Sequence, residues 1–167
     1  MAVTRANVLV GMGTFSVDTT DVGSTHGGVT IEKTQDVYEK KIDQKLDAIA
    51  LYPIGTKMSV KTNIGEATLE NMKTVWSEST SVTSSGTSRH LDGGITTSLT
   101  ERALSFNGKS PEGYNRTYQF HKAVVVGASQ HAIKKDDQVV FPVEFRCLPD
   151  FTKTTGEEYY TITDYAV

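Results

Sequence analysis

The chain has 167 residues, of which 37% are hydrophobic and 22% charged, and its formal net charge is -3. These values predict one soluble globular domain over residues 1–167, and the negative balance without any Lys/Arg run argues against binding a phosphate backbone. No apolar run of membrane-spanning length and no signal-peptide pattern is present, so the expectation is synthesis in the cytoplasm with no membrane partner, and the single cysteine, Cys147, excludes an internal disulfide.

Weak strand patterns come first, over residues 8–17, 29–33 and 37–43. The clearest alternation follows: Met58, Val60, Thr62 and Ile64 interleave with Lys57, Ser59, Lys61 and Asn63, which predicts an antiparallel strand with one face on a core. The one helical signature has Thr68 as N-cap, Leu69, Met72 and Trp76 at helical spacing and Glu70 in the first turn, and it predicts a helix over 69–77. Residues 78–94 are rich in Ser, Thr and Gly and predict a long exposed loop that contacts a neighbour in an assembled state.

A strand pattern over 102–106 leads into Asn107-Gly108, a turn signal that 109–115 extends into a loop. Tyr118, Phe120, Val124 and Val126 then share a face interrupted by Lys122, so a hairpin over 99–126 is predicted. Val139, Phe141, Val143, Phe145 and Cys147 alternate with Val140, Pro142, Glu144 and Arg146. Pro142 has no N–H to give, which places its strand at a sheet edge or leaves that position facing out of the ladder. A last strand falls over 158–164. The fold class is mainly β, an antiparallel sandwich or partial barrel with one flanking helix.

Catalytic and cofactor patterns fail on context. Gly108-Lys109-Ser110 ends like a phosphate-binding loop, but Ala103 stands at the required upstream glycine and Pro111 where a helix should begin. Gly11-Met12-Gly13 lacks its third glycine because Ser16 stands there. His26, His90, His121 and His131 are scattered and read as surface or loop histidines, while Cys147 shares the apolar face of its strand and reads as a buried structural thiol. Asp136, Asp137, Glu157 and Glu158 sit in turn-like contexts as solvated charge. No enzyme, cofactor or metal site is expected.

The order and wording of the strands resemble the tail tube, or major tail, proteins of long-tailed bacteriophages over about residues 4–150. The resemblance is carried by Gly27-Gly28-Val29-Thr30-Ile31, Ile42-Asp43-Gln44, Gly65-Glu66-Ala67-Thr68-Leu69-Glu70-Asn71, Phe141-Pro142-Val143-Glu144-Phe145 and Leu148-Pro149-Asp150, and it departs from the family in the Ser/Thr-rich stretch after Trp76. It implies hexameric rings stacked into the tube through which DNA leaves the virion, with the subunit sheets joined edge to edge. The implied partners are further copies of the chain and the tape measure, terminator and baseplate or tail-tip proteins, with a sheath if the tail contracts. DNA passes without specific binding.

On that architecture the polar face of Lys57, Ser59, Lys61 and Asn63 lines the lumen, with Glu39 and Asp43 on an adjacent strand offsetting the two lysines. Two alternatives share the β-rich pattern. One is the tube of a contractile injection or type VI-like apparatus; the other is a β-sandwich binding module, for which a signal peptide and an exposed aromatic patch are expected.

Overall fold

A computed structural model describes residues 13–41, 47–77, 81–95, 97–127, 130, 133, 135–136 and 138–166. The described elements are β1 (Gly13–Val17), β2 (Thr20–Asp21), β3 (Thr25–Lys40), β4 (Ala50–Ile64), α1 (Leu69–Val75), β5 (Thr83–Ser85), β6 (Ser88–His90), β7 (Arg102–Lys109), β8 (Asn115–Val126), β9 (Phe141–Leu148) and β10 (Tyr160–Tyr165). The fold is mainly β and antiparallel, with one short helix. The principal sheet runs β2-β1-β7-β8-β9-β4-β3, and β10 joins β8 alongside β9.

β8 organises this sheet because its two halves have different partners. Residues Asn115–Phe120 pair with β10 and residues Lys122–Val126 pair with β9, while β7 lies along the opposite edge. The β7 ladder jumps from Leu104↔Phe120 to Arg102↔Ala123, which inserts one extra residue into β8. Such a bulge turns the strand and reverses which parity faces the core. Phe120, Ala123 and Val125 therefore continue one core face. Val124 and Val126 fall opposite Arg146 and Glu144 on the other face, which corrects the single Tyr118, Phe120, Val124, Val126 stripe expected from alternation alone.

The sheet curls over its own core without closing into a barrel. Phe15 on β1 and Phe145 on β9 stand three strands apart in the order, which in a flat sheet would separate them by about 14 Å. Their ring centroids are 6.1 Å apart. Around this contact lie Val60 and Ile64 from β4, Leu104 from β7, Phe120 and Ala123 from β8 and Phe141 from β9, all essentially excluded from solvent.

Helix α1 caps one end of the core. The Thr68 Oγ1 accepts the Asn71 N–H at 3.2 Å, as its sequence position predicts, and Val75 and Met72 turn toward the core. Asn71 is buried, and its Nδ2 donates to the carbonyls of Val22 at 3.0 Å and Glu66 at 2.9 Å, tying the helix to the β2–β3 connection. The helix ends two residues earlier than the pattern suggests: Trp76 is its C-cap and Ser77 has φ +55°.

Other boundaries shift for physical reasons. The pattern over 29–33 and positions 37–40 of the pattern over 37–43 belong to one strand, β3, which ends at Lys40, while positions 42–43 lie outside the described residues; the first half of β4 adds a segment that alternation does not reveal. Asn107 and Gly108 remain in β7, paired with Thr117 and Arg116, and the chain reverses at Ser110, whose N–H donates to the Tyr114 carbonyl at 2.8 Å. Pro142 lies on an interior strand, so of the two expected placements the sheet edge is not the one taken; among the described residues the β8 ladder extends to Glu144 and Pro142 stands opposite Asn63 of β4. The Ser/Thr-rich segment expected as a long exposed loop is exposed and contains the short β5–β6 hairpin, turning at Gly86 with φ +61°; residues 78–80 of that loop lie outside the described residues. Of the pattern over 8–17, positions 8–12 likewise lie outside them.

The β1–β2 turn carries strain that the fold does not require. Asp18 and Thr19 have φ +50° and +69°, the left-handed pair of a two-residue hairpin turn, for which a branched threonine is poorly suited. Thr19→Gly is expected to stabilise the protein by about 0.5–1 kcal/mol, read as a higher urea midpoint at unchanged slope.

Candidate assembly surface

β4 separates two environments along its second half. Met58, Val60, Thr62 and Ile64 are buried, while Lys57, Ser59, Lys61 and Asn63 face the other way and are exposed or half-buried, as alternation predicts. β3 places Thr34, Glu32 and Thr30 opposite Lys57, Ser59 and Lys61, and β9 places Arg146, Glu144 and Pro142 opposite Ser59, Lys61 and Asn63. One polar face thus runs across three strands.

Its lysines are neutralised locally. The Lys57 Nζ lies 2.8 Å from Asp36 Oδ2, and the Lys61 Nζ lies 2.9 Å from Glu32 Oε2 and 3.6 Å from Glu144 Oε1. The hydrogen bond that Lys61 donates to Glu32, followed by the charge of Glu144, raises the Lys61 pKa above the ordinary lysine value. Among the described residues the carboxylates that do this are Glu32, Asp36 and Glu144, and Glu39, expected in this role, is not one of them. Glu39 pairs with Lys41 at 3.1 Å and by strand parity falls on the face opposite Asp36; Asp43 lies outside the described residues. A shallow groove follows this face in two adjoining compartments of about 370 and 280 Å³, with Lys61, Val126 and Glu144 in both walls.

Beyond that face the β3–β4 hairpin leaves the sheet. Pairing of β4 with β9 ends at Met58↔Cys147, whereas pairing with β3 continues to Lys40↔Ala50. The base of this arm is fixed: the Tyr159 hydroxyl donates to the Thr56 carbonyl at 3.2 Å, and the Lys33 ammonium stands 5.7 Å from the Tyr160 ring centroid. Its outer part is a two-stranded ribbon with apolar residues on both sides. Tyr38 and Tyr52 face each other across it, Val37 pairs with Pro53 and Leu51 with Glu39, and a register shift between Asp36 and Val37 leaves Ile54 as the extra residue. Leu51 is 61% and Ile54 69% exposed, values that a core-forming strand never shows. The sequence signal was the apolar run from Ile49 to Ile54, which matches neither strand alternation nor helical spacing.

The enzyme-like groups stay dispersed. Gly108 and Lys109 belong to β7, and the Lys109 ammonium donates to Asn115 Oδ1 at 2.6 Å. His90 meets Thr83 and His121 meets Thr161 through ring-nitrogen hydrogen bonds of 2.7 and 3.2 Å, His26 is exposed, and His131 lies outside the described residues. Among the described residues no three His, Cys, Asp or Glu side chains gather as a metal site. Cys147 is buried, and desolvation pushes its thiol pKa up to about 11.

No protein-family model matches the chain, and no curated protein shows significant similarity to it.

A buried thiol with so high a pKa is neither accessible nor ionised near neutrality. Native protein at pH 8 is expected to leave Cys147 unmodified by a maleimide over the time in which urea-unfolded protein is labelled completely. Mass spectrometry of the two samples checks it, with equal labelling as the contrary result.

Proposed function

We propose that the chain is the structural subunit of a phage tail tube, assembling as hexameric rings that stack around the conduit for DNA. The observation that carries this reading is the apolar arm. A two-stranded ribbon beyond the sheet is marginally stable by itself, and one bearing Tyr38, Leu51, Tyr52 and Ile54 to solvent gains stability when a neighbour covers it. The resemblance in strand wording and the mainly β fold with one helix support the same reading.

The sheet edges supply the second component. The outer side of β3 has no strand partner along Thr25–Lys40 among the described residues, and the far end of the order is the short β2. A long unpaired edge is a template for another chain, and pairing repeated around an axis closes into a ring. In that ring the face of Lys57, Ser59, Lys61 and Asn63 lines the lumen. Its lysines, each held by carboxylates, then offer passing DNA no net positive stripe and little counterion release.

Two measurements test the reading. Purified protein is expected to form rings or tubes in negative stain, and the pair Leu51→Glu with Ile54→Lys to remain monomeric while keeping the parent circular dichroism and a stability within about 0.5 kcal/mol. Assembly of the variant at parent level removes the arm from the interface; a parent chain monomeric at every concentration and salt, even with tail-initiation partners, sinks the tube.

The lumen assignment has its own test in a single cysteine placed at Ser59 or Asn63, with Cys147 silent. Small and bulky maleimides are expected to label the monomer alike, and long tubes to admit mainly the small one. Equal labelling of tubes by both places this face outside.

A further inference from the structure

A glycine that follows an aspartyl or asparaginyl residue permits a reaction that needs no enzyme, because its amide nitrogen, unshielded by a Cβ, can reach the preceding side-chain carbonyl carbon. The sequence holds two such pairs, Asp92-Gly93 and Asn107-Gly108. By side-chain chemistry alone Asn107 is the faster of the two, since near neutrality a carboxamide is a better electrophile than an ionised carboxylate. The fold reverses that order.

Asn107 and Gly108 sit inside β7 with a strand on each side: Asn107 pairs with Thr14 and Thr117, and Gly108 with Gly13 and Arg116. The Thr117 hydroxyl donates to Asn107 Oδ1 at 2.7 Å and holds the carboxamide against β8. β1 lies close on the other side, where a Cβ on Gly13 would overlap the Asn107 carbonyl oxygen. Ring closure at Asn107 has to turn the residue out of its extended conformation, and the ladder bonds on both sides oppose it.

Asp92 and Gly93 lie in a different setting. They follow β6, which ends at His90, and with Gly94 they are exposed and belong to no strand or helix. The Gly93 N–H meets no acceptor among the described residues, and a Cβ at Gly94 would meet nothing within 4 Å. The Asp92 Oδ2 stands at the surface, 3.8 Å from His90 Nε2.

We propose that Asp92-Gly93 is a site of spontaneous isomerisation, at which the native protein converts aspartate to isoaspartate while the sheet protects Asn107-Gly108. The Gly93 nitrogen attacks Asp92 Cγ: the N–Cγ bond forms, the bond from Cγ to its hydroxyl breaks, and the amide proton leaves with that hydroxyl as water. Water then opens the cyclic succinimide. Opening at Cγ restores aspartate, whereas opening at the main-chain carbonyl breaks its bond to the Gly93 nitrogen and leaves the chain running through the side chain, one carbon longer, with the carboxylate on Cα. Mass is unchanged and water is the only co-reactant. The product lengthens the connection from β6 toward β7 and moves the carboxylate that faces His90. The site does not depend on the tube reading.

The test incubates full-length protein at neutral pH, folded and in urea, and maps its peptides by mass spectrometry. Isoaspartate at 92 is read as a peptide of equal mass and altered retention that resists a protease cutting before aspartate, and deamidation of Asn107 as a gain in mass. Folded protein is expected to accumulate isoaspartate at 92 and keep Asn107, and unfolded protein to lose Asn107 first. Conversion through rare global unfolding would follow the unfolded order, so the order of the two sites separates the causes. Gly93→Val, whose branched side chain shields the nitrogen at a position outside the left-handed region, should abolish the product at 92. Folded protein that keeps Asp92 after the unfolded chain has converted it, or that loses Asn107 at the unfolded rate, overturns the proposal. Parent-level isoaspartate in Gly93→Val with matching circular dichroism overturns it as well, and the parent comparison decides alone if that variant does not fold.

Discussion

Phe145 is the residue around which the sheet is able to curl. Across the ladders it faces Val60 of β4 and Val125 of β8, and above it lies the ring of Phe15, brought over from the far side of the sheet. A large aromatic at the centre of a curled sheet satisfies two demands together: it fills the gap between converging strands, and it brings strands distant in the order into one apolar contact. The bulge in β8 follows from this demand. Without the extra residue, the face that continues from Phe120 would place Lys122 and Val124 inward, and Ala123 and Val125 would lose the core.

That inner requirement also explains what the outer surfaces are free to do. The second half of β4 is committed to the core by Met58, Val60, Thr62 and Ile64, so its other face can be charged and paired, and its first half can leave the sheet. The arm contributes nothing to the described core: Val37, Tyr38, Leu51, Tyr52 and Ile54 are all exposed. Apolar residues that do not stabilise the monomer point to a surface under a different constraint, and the proposed covering by a neighbour would account for both the ribbon and the outer edge of β3, which has no strand partner among the described residues.

What the sequence reveals divides along the same line. Residues 57–64 and 141–148 are legible because each strand keeps one face in the core and one out, so period two survives along its length. Period two fails where a bulge intervenes, which is why Val124 and Val126 are misassigned from pattern alone, and where neither face is buried, which hides Ala50–Thr56. Asn107-Gly108 carries turn chemistry in a place where β7 still has partners; the competing residues at 110–114 win because the ladder with β8 extends through Lys109↔Asn115. The Thr68 cap is legible because it is purely local. The lysine face is legible as a face, but the identities of its partners are not, since Asp36 and Glu32 are chosen by the register of a hairpin whose loop length gives no guide. Arg102 looks in sequence like any strand-entry charge, and its burial follows from a turn more than eighty residues earlier, at Asp18.

The charges of the described surface fall into two arrangements. On the β3–β4–β9 face, Lys57 and Lys61 meet carboxylates within one or two strands, all of them solvated, so each pair is individually weak and the set mainly removes net charge from the face. At Arg102 the opposite holds: one carboxylate meets a guanidinium that is almost wholly buried, and two donors are left over. Solvated pairs tolerate mismatch because water fills the remainder, whereas a buried guanidinium has no such reserve. The unsatisfied edge is therefore the one place among the described charges where a buried donor finds no partner. Arg102 lies between the β1–β2 turn and α1, far in topology from the arm, so the arm and the arginine are separable features that can be altered one at a time.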